Sequence, residues 1–331
     1  MRKLLIVVFL CWSQLAISQS SPLVEHKKVL KLMGTRFELG ATATSDTLAW
    51  AAINAGIAEI QRIEKLISSW DEHSQTSAIN QKAGLAPVKV AKELFDLIFR
   101  AKKVAKLTDG AFDISFASMD RIWKFDGSMQ AMPPPAAVQA AAAKINWENI
   151  ILDAEQQTVF LKEEGMKIGF GGIGKGYAAN RAKALMARLP GVKGGIVNAA
   201  GDLCAWGERA EQKKWTIKIA DPTDKTKALG WLQIKEAAVV TSGDYERFVF
   251  FDGKRYAHII DPRTGYPTTG IKSATIVCSD AEIADALATS VFVLGRVDGM
   301  ALINQLKGVE CLIITDENEI LTSDHLQLNY Y

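Results

Sequence analysis

Residues 167–180 read KIGFGGIGKGYAAN and place five glycines around Lys175. Without side chains, glycines let the backbone approach an anion and point several N–H groups at it, and a helix that follows adds its favourable N-terminal dipole. The spacing fits two nucleotide motifs at once, the dinucleotide-binding turn G-x-G-x-x-G and the first seven positions of a P-loop, G-x-x-x-x-G-K. Because the dinucleotide turn belongs to a doubly wound parallel sheet, this stretch bears on the fold class.

Each of these motifs lacks a residue that its chemistry requires. In a P-loop the lysine is followed by Ser or Thr, whose hydroxyl meets Mg²⁺, but Lys175 is followed by Gly176. The dinucleotide turn needs an acidic residue roughly 20 positions later to hold the ribose. Residues 182–193 contain no acid, and Asp202 falls in a different predicted element. The stretch therefore indicates a phosphate site without identifying the phosphate, and a tight strand-to-helix turn is the structural alternative.

The composition is that of an ordinary globular protein. The chain has 331 residues, 48% of them hydrophobic and 23% charged, and its formal net charge is +2. Lysines and arginines form no long cluster, so nothing predicts a nucleic-acid partner. Past the N-terminal segment, the cysteines are Cys204, Cys278 and Cys311, far apart and set in apolar, strand-like runs. We expect them to be buried small hydrophobic residues rather than disulfides or zinc ligands.

The N-terminus has the three parts of a secretory signal peptide. Residues 1–3 are basic, residues 4–12 form an apolar run, and the tripeptide at 16–18 has small residues at the positions that precede a cleavage site. The apolar run is too short to cross a bilayer, and no later segment is expected to be long and apolar enough to do so. We predict a signal peptide at 1–18, a single domain at 19–331 and a periplasmic location, with membrane association open.

The rest of the chain mixes helical and strand patterns. Residues 28–41 alternate like a strand interrupted at Gly34, and isoleucines recur at three- and four-residue steps after Ser45, the pattern of an amphipathic helix. Further helices are predicted at 94–104, after the prolines at 133–135, at 177–189 and at 281–294. Strands are predicted in GGIVNAAG, KWTIKIAD, AAVVTSG, RFVFFDGKRYAHIID and SATIVCSD. Since strands and helices do not alternate regularly, we predict an α+β fold with mixed or antiparallel sheets and packed helices.

Further residues could carry chemistry. Asp285 and Thr289 lie four apart on a predicted helix and share one face, where a carboxylate and a hydroxyl are suitable oxygen ligands for Mg²⁺. An acidic cap and a threonine bonded to its own helix are the alternative. His258 precedes a predicted turn and could accept a proton near neutral pH, although a lone histidine is often structural. The polar segments NAAGD (198–202) and TSGDYERF (241–248) are either sharp turns or loops that line a site.

Taken together, the motifs resemble those of one family. MGTRF, ISSW, GAFD, GGIGKGYA, NAAGD, TSGDYERF, HIIDPRTGYP and ADALATS occur in this order between Met33 and Ser290. The sequence resembles the ApbE family, the FAD:protein FMN transferases, over essentially the whole chain after the signal peptide. The resemblance implies a fold of the T-fold type and an enzyme on the outer side of the cytoplasmic membrane. Such an enzyme uses FAD and Mg²⁺, transfers FMN to a Thr or Ser hydroxyl of a target flavoprotein and releases AMP; its targets include subunits of membrane redox complexes.

The resemblance also implies roles for the residues at matching positions. His258 would be the catalytic base, and Asp261 would help to fix its turn. The residues implied to bind Mg²⁺ are Asp285, Thr289 and, through its backbone carbonyl, Gly172. The residues implied to bind FAD are Met33, Trp70, Ala111, Phe112, Asp113, Gly169, Lys175, Glu246 and Ile259, with Lys175 at the phosphates.

Some positions depart from the pattern that is common in the family. Gly169 and Phe170 stand where Asp-Leu is common, Asn180 stands where Asp is common, and Ala288 stands where some members have a carboxylate near the metal. The missing carboxylate at Gly169 is one expected to touch FAD. Two alternatives to transfer therefore stay open, namely hydrolysis of FAD to FMN and AMP with water as nucleophile, and FAD binding without catalysis. A P-loop NTPase is a more distant alternative.

Overall fold

The computed structural model describes residues 22–119, 122–126, 128–129, 131–210, 214–221, 224, 227–243, 248–251 and 253–330, so the predicted signal peptide lies outside it. The helices are α1 (Asp46–Ile67), α2 (Gln75–Gln81), α3 (Lys92–Leu107), α4 (Pro135–Ala142), α5 (Gly174–Met186) and α6 (Ala281–Asn304), with 3₁₀ helices at Ile114–Met119 and Trp147–Asn149. The strands are β1 (Val24–Leu32), β2 (Thr35–Ala43), β3 (Val88–Lys89), β4 (Ile150–Asp153), β5 (Thr158–Leu161), β6 (Val192–Ala199), β7 (Asp202–Gly207), β8 (Trp215–Ala220), β9 (Ala228–Ile234), β10 (Ala237–Gly243), β11 (Phe248–Phe251), β12 (Lys254–Ala257), β13 (Ile271–Cys278), β14 (Glu310–Thr315), β15 (Ile320–Thr322) and β16 (Asn329–Tyr330).

Local sequence explains the first hairpin and the first helix. β1 and β2 pair antiparallel, and Met33 and Gly34 form their turn with φ values of 48° and 75°. A two-residue turn with positive φ at both positions matches the twist of a hairpin. Ser45 then caps α1, because its side-chain oxygen accepts a hydrogen bond from the Leu48 N–H. The predicted apolar face of this helix is buried, and it comprises Ile53, Ile57, Ile60, Ile63 and Ile67.

The centre of the fold is an eight-stranded sheet in the order β1-β2-β6-β7-β10-β13-β14-β15. Each neighbouring pair in this sheet is antiparallel. Smaller antiparallel sheets are formed by β3-β5-β4, by β16-β9-β8 and by the hairpin β11-β12. Antiparallel sheets with packed helices confirm the predicted α+β class. The glycine stretch is therefore not a dinucleotide-binding turn, because such a turn belongs to a parallel sheet.

Two layers cover the central sheet. α5 packs against both α1 and α6, the three helices cover β2, β6, β10 and β13, and they share the main hydrophobic core with that face. A second core forms with β8 and β9, where Trp215, Ile217 and Leu232 pack with Leu203 and Val239 of the central sheet. Because the starts of α5 and α6 lie in the same layer, side chains from segments about a hundred residues apart can meet there.

α6 differs from its prediction in two respects. Its helical span reaches Asn304, beyond the predicted end at residue 294, and Gly295 divides it by a kink with φ 81° and ψ 178°. Among the described residues, α6 is also the one helix that is long and apolar enough to cross a membrane, contrary to the expectation of no such later segment. Half of its apolar window is buried inside the protein, where the helix packs on α5, β10 and β13. We therefore assign α6 to the core of the domain.

Sequence patterns do not predict β7, β9 or the short helix α2. β7 is almost wholly buried, so it lacks the period-two alternation by which a half-exposed strand is recognised. The segment NAAGD contains the turn between β6 and β7, at Ala200 and Gly201 with φ values of 55° and 107°. Asp202 is then the first residue of β7. α5 begins at Gly174, inside the glycine stretch and earlier than its predicted start at residue 177.

The three cysteines are buried and form no disulfide, as the sequence predicts. Cys204, Cys278 and Cys311 are free, buried thiols. Burial raises the pKa of Cys204 to about 12, that of Cys278 to about 11 and that of Cys311 to about 12. These side chains therefore stay protonated at neutral pH and act as core residues.

Candidate active site

A cavity of about 420 Å³ lies where the start of α5, the side of α6 and the end of β10 meet two loops. The predicted site residues that line it are Ala111, Phe112, Asp113, Gly169, Gly172, Lys175, His258, Ile259, Asp285 and Thr289. It is also lined by residues without a predicted role, namely Ile114, Phe116, Gly171, Thr241, Ser242, Gly243, Ile260 and Pro262. The motifs that are scattered along the sequence thus converge on one space.

Gly176 explains why the glycine stretch departs from a P-loop. A Cβ atom built on Gly176 would overlap the Ala281 carbonyl oxygen and lie 2.8 Å from the Asp285 Cβ. The first turn of α5 therefore packs backbone to backbone against the first turn of α6, and a serine or threonine would not fit. The contact is also polar, because the Gly176 N–H donates a hydrogen bond to Asp285 Oδ2 at 3.0 Å.

Several oxygen atoms lie close together beside the contact between the first turns of α5 and α6. Gly176 is the third residue of α5, so its N–H has no acceptor within the helix, and it donates to Asp285 instead. Among the described residues, the Gly172 carbonyl, which precedes the helix, accepts no backbone hydrogen bond. A Cβ built on Gly172 would lie 3.1 Å from Thr289 Oγ1, and the Ser242 hydroxyl lies 3.4 Å from that same atom. A carbonyl, a carboxylate and hydroxyls are the oxygen donors that a hard cation prefers.

Lys175 lies between two buried carboxylates. Its Nζ forms an ion pair with Asp202 Oδ2 and lies 3.7 Å from Asp285 Oδ1. Burial opposes the charge on Lys175, but Asp285 and Asp202 outweigh it and raise the pKa of the ammonium group. Burial raises the pKa of Asp202 to about 6, although Lys175 lowers it. Asp202 has no role in the sequence predictions; only its place in the segment NAAGD marked it as a candidate.

His258 is exposed at the end of β12, where it lines the cavity. The turn after it is held by Asp261, whose Oδ1 accepts hydrogen bonds from the Arg263 N–H and Nε–H at 2.9 Å each. The Asp261 carbonyl accepts a further bond from the Gly265 N–H at 2.8 Å. The ring of Phe125 meets the imidazole edge-on, with centroids 6.4 Å apart. The histidine thus stands on a fixed turn with access to the cavity.

Asp113 supports one wall of the cavity through bonds within the chain. Its Oδ1 accepts from both the N–H and the hydroxyl of Ser115 at 2.7 Å, and its Oδ2 accepts from the Trp147 N–H at 2.8 Å. Burial raises the pKa of Asp113, while these hydrogen bonds and Lys102 lower it. The carboxylate therefore holds the backbone of residues 111–114 in place beside the cavity.

The sequence model of the ApbE family matches residues 33–313. The chain belongs to the ApbE family. It is 33% identical over 273 residues to an FAD:protein FMN transferase from Klebsiella pneumoniae, a match that covers 82% of this chain and 84% of that protein. It is 32% identical over 293 residues to an FAD:protein FMN transferase from Treponema pallidum, covering 82% and 80% of the two chains.

Solved structures of ApbE proteins have the same fold. The ApbE protein from Thermotoga maritima has a TM-score of 0.82 and 32% sequence identity, and the superposition covers 91% of this chain and 97% of that one. The flavin transferase ApbE from Vibrio cholerae has a TM-score of 0.80 at 22% identity, with 92% and 98% covered. At that lower identity the likeness shows the fold alone.

Two residues implied by the ApbE motifs, Met33 and Trp70, do not line the cavity. Met33 lies in the β1–β2 turn, and its Cε is 3.8 Å from a Cβ built on Gly174, so it is close to the start of α5. Trp70 lies in the loop after α1 and is 77% exposed, so its ring is open to solvent. A third implied residue, Glu246, lies outside the described residues.

Gly169, where many ApbE proteins have Asp, is buried at the edge of the cavity. Its N–H donates to the Ile114 carbonyl at 2.9 Å. A Cβ built on it would lie 3.2 Å from the Ala117 Cβ and 3.9 Å from the Ser69 hydroxyl, next to Trp70. A side chain at this position would therefore press on the 3₁₀ helix that carries Phe116.

Proposed function

We propose that this ApbE-family protein is an FAD:protein FMN transferase, which moves FMN from FAD to a Thr or Ser hydroxyl of a target flavoprotein and releases AMP. The observation that carries the proposal is that Lys175, Asp285, Thr289 and His258, from three separate segments, line one cavity. Splitting a pyrophosphate requires positive charge around the phosphates and a base for the incoming hydroxyl. Relatives that share about a third of their residues with this chain carry the same name.

The donor set favours Mg²⁺ as the cation. Asp285, Thr289 and the Gly172 carbonyl would hold it, since these are oxygen donors and, among the described residues, the carbonyl accepts no backbone hydrogen bond. Among the described residues no group of three His, Cys, Asp or Glu side chains forms a protein-only metal cage. Mg²⁺ usually completes its coordination shell with waters and substrate phosphates, so a small number of protein ligands is sufficient for it. When bound, such an ion neutralises charge on the pyrophosphate oxygens.

Lys175 and His258 supply the charge and the base that the reaction also needs. The ammonium group of Lys175 faces the phosphates with a positive charge that its carboxylate neighbours maintain. His258 accepts the proton of the target hydroxyl as its oxygen attacks the phosphorus on the FMN side. A new O–P bond forms, the P–O bond to AMP breaks, and AMP leaves with the bridging oxygen. The exposure of His258 suits this task, because a protein-borne hydroxyl must reach it from outside.

The apolar wall is the natural place for the flavin ring. Phe112, Ile114, Phe116 and Ile259 line the cavity, and such side chains pack well against a planar ring system. Trp70 is exposed and directly follows Ser69, whose hydroxyl lies 3.9 Å from a Cβ built on Gly169, so its ring would close over the flavin by stacking.

Location and partners belong to the same proposal. The basic start, apolar run and small residues at 1–18 support export, and periplasmic flavoproteins at the inner membrane would then be the acceptors. The acceptor is defined chemically as a protein segment that presents a Thr or Ser hydroxyl to His258.

His258→Ala is expected to slow FMN transfer by about 10²–10⁴-fold, the usual contribution of a general base, while FAD binding is kept. FAD affinity is measured by flavin fluorescence and transfer by the flavin attached to an acceptor. His325→Ala is the control, because His325 is an exposed histidine that does not line the cavity. A full transfer rate in His258→Ala would refute the assignment of the base.

The reaction itself is tested by incubating the protein with FAD, Mg²⁺ and an acceptor flavoprotein domain that presents a Thr or Ser hydroxyl. Fluorescent flavin on the denatured acceptor band would support transfer. Free FMN with no labelled acceptor would show an FAD hydrolase, and yellow protein with neither product would show a flavin carrier. Either of the last two results would overturn the proposed function.

A further inference from the structure

The position of Lys175 raises a question about the cation site. Its ammonium group is within 4 Å of two carboxylates, those of Asp202 and Asp285. It makes a hydrogen-bonded ion pair with Asp202, but the 3.7 Å to Asp285 Oδ1 is too long for a hydrogen bond. Asp285 Oδ2 accepts the hydrogen bond of the Gly176 N–H, whereas Oδ1 lies toward Lys175 and is the oxygen over which a cation and Lys175 would compete.

The position of the Asp202 side chain is fixed by the backbone around it. It begins β7, directly after the β6–β7 turn, where Ala200 and Gly201 both have positive φ. That turn is fixed by the Asn198 side chain, whose Oδ1 accepts from the Gly201 N–H at 2.8 Å. The carboxylate itself is buried. A buried carboxylate that directly follows a fixed turn gives the flexible lysine side chain one preferred partner.

We propose that Asp202 is a positioning residue that draws the Lys175 ammonium away from Asp285 and so keeps the Asp285 carboxylate available to a divalent cation. Within the described part of the chain, Asp285 is the other carboxylate that Lys175 reaches. Without the charge of Asp202, the ammonium group moves to Asp285 Oδ1 and competes with the cation for that oxygen.

This inference rests on the cation site of the proposed function, but its test needs no FMN transfer. Mn²⁺ is the probe, because it prefers oxygen ligands as Mg²⁺ does and its unbound fraction is read by electron paramagnetic resonance. The protein is titrated without FAD or acceptor. Asp202→Asn is expected to weaken Mn²⁺ binding by about tenfold or more, the range typical for residues that support metal ligands.

Two further variants separate positioning from a general effect of charge or folding. Asp280→Asn removes one negative charge at the N-cap of α6, five residues before Asp285, and keeps the capping ability; its Mn²⁺ affinity should match the wild type. Lys175→Met combined with Asp202→Asn removes the competitor together with its anchor, and Mn²⁺ affinity should return at least to the wild-type value.

Several results would overturn the proposal. These are wild-type affinity in Asp202→Asn, an equal loss in Asp280→Asn, a double variant that binds as weakly as Asp202→Asn, or no Mn²⁺ binding by the wild type. If Asp202→Asn alone does not fold, as judged by circular dichroism, the double variant decides, since binding weaker than wild type would contradict the competition. Transfer activity is scored separately with the acceptor, so failure of the transferase assignment stays distinguishable from failure of this inference.

Discussion

Asp285→Ala is expected to abolish the dependence of FMN transfer on a divalent cation and to lower the transfer rate by at least about 100-fold. The physical reason is that this residue supplies the one carboxylate of the proposed cation site. Without this charge stabilisation at the phosphoryl group, the activation free energy rises by several kcal/mol, and each ~1.4 kcal/mol slows the reaction tenfold. The Asp285 carboxylate also orients Gly176 at the start of α5, so the truncation acts on both sides of the site.

The measurement is the rate of acceptor flavinylation against Mg²⁺ concentration. Asp298→Ala is the matched control, because Asp298 lies on the same helical span beyond the kink at Gly295 and is exposed. It should show the wild-type rate and the wild-type Mg²⁺ response. An unchanged Mg²⁺ response in Asp285→Ala would refute the ligand role of this residue.

Gly176→Ala is expected to destabilise the domain by about 3 kcal/mol or more and to remove transfer activity. The added Cβ would overlap the backbone carbonyl of Ala281, which cannot rotate away as a side chain could, so α5 and α6 must move apart. Their separation would displace Lys175 from Asp285 and Thr289. The free energy of unfolding is measured in urea, and activity is measured by acceptor flavinylation.

Gly171→Ala is the control within the same glycine stretch. A Cβ built there lies 3.4 Å from the Phe116 Cζ, an ordinary contact, so the free energy of unfolding should stay close to that of the wild type. If Gly176→Ala were as stable and as active as wild type, the close packing of the two helix starts would have no part in forming the site.

Sequence predicts much of this site because helical spacing carries geometric information. Asp285 and Thr289 lie four residues apart, so a helix alone brings them to one face, and the structure adds the glycine stretch opposite them. The α+β class likewise follows from the irregular order of strands and helices. The turn of His258 follows from its Asp-Pro sequence, and the structure places that histidine on the cavity.

Two contacts between distant segments, that of Lys175 with Asp202 and that of Gly176 with α6, were beyond prediction from the sequence. Asp202 could be dismissed as too far along the chain for a dinucleotide turn, yet the β6–β7 turn brings it back to Lys175. In the sequence, Gly176 stands only as the position where a P-loop would have a hydroxyl. The structure gives the reason for glycine there, because the backbone of α6, more than a hundred residues later, leaves no room for a side chain. In both cases the deciding quantity is a packing distance, which no local pattern encodes.

The most decisive measurement is the ratio of AMP released to FMN attached to the acceptor in one reaction with FAD and Mg²⁺. Chromatography gives the AMP, and mass spectrometry of acceptor peptides gives the FMN and the residue that carries it. Transfer by attack of a protein hydroxyl predicts a ratio of one, with FMN on a Thr or Ser through a phosphoester bond. AMP released without flavin on the acceptor would contradict the proposed function.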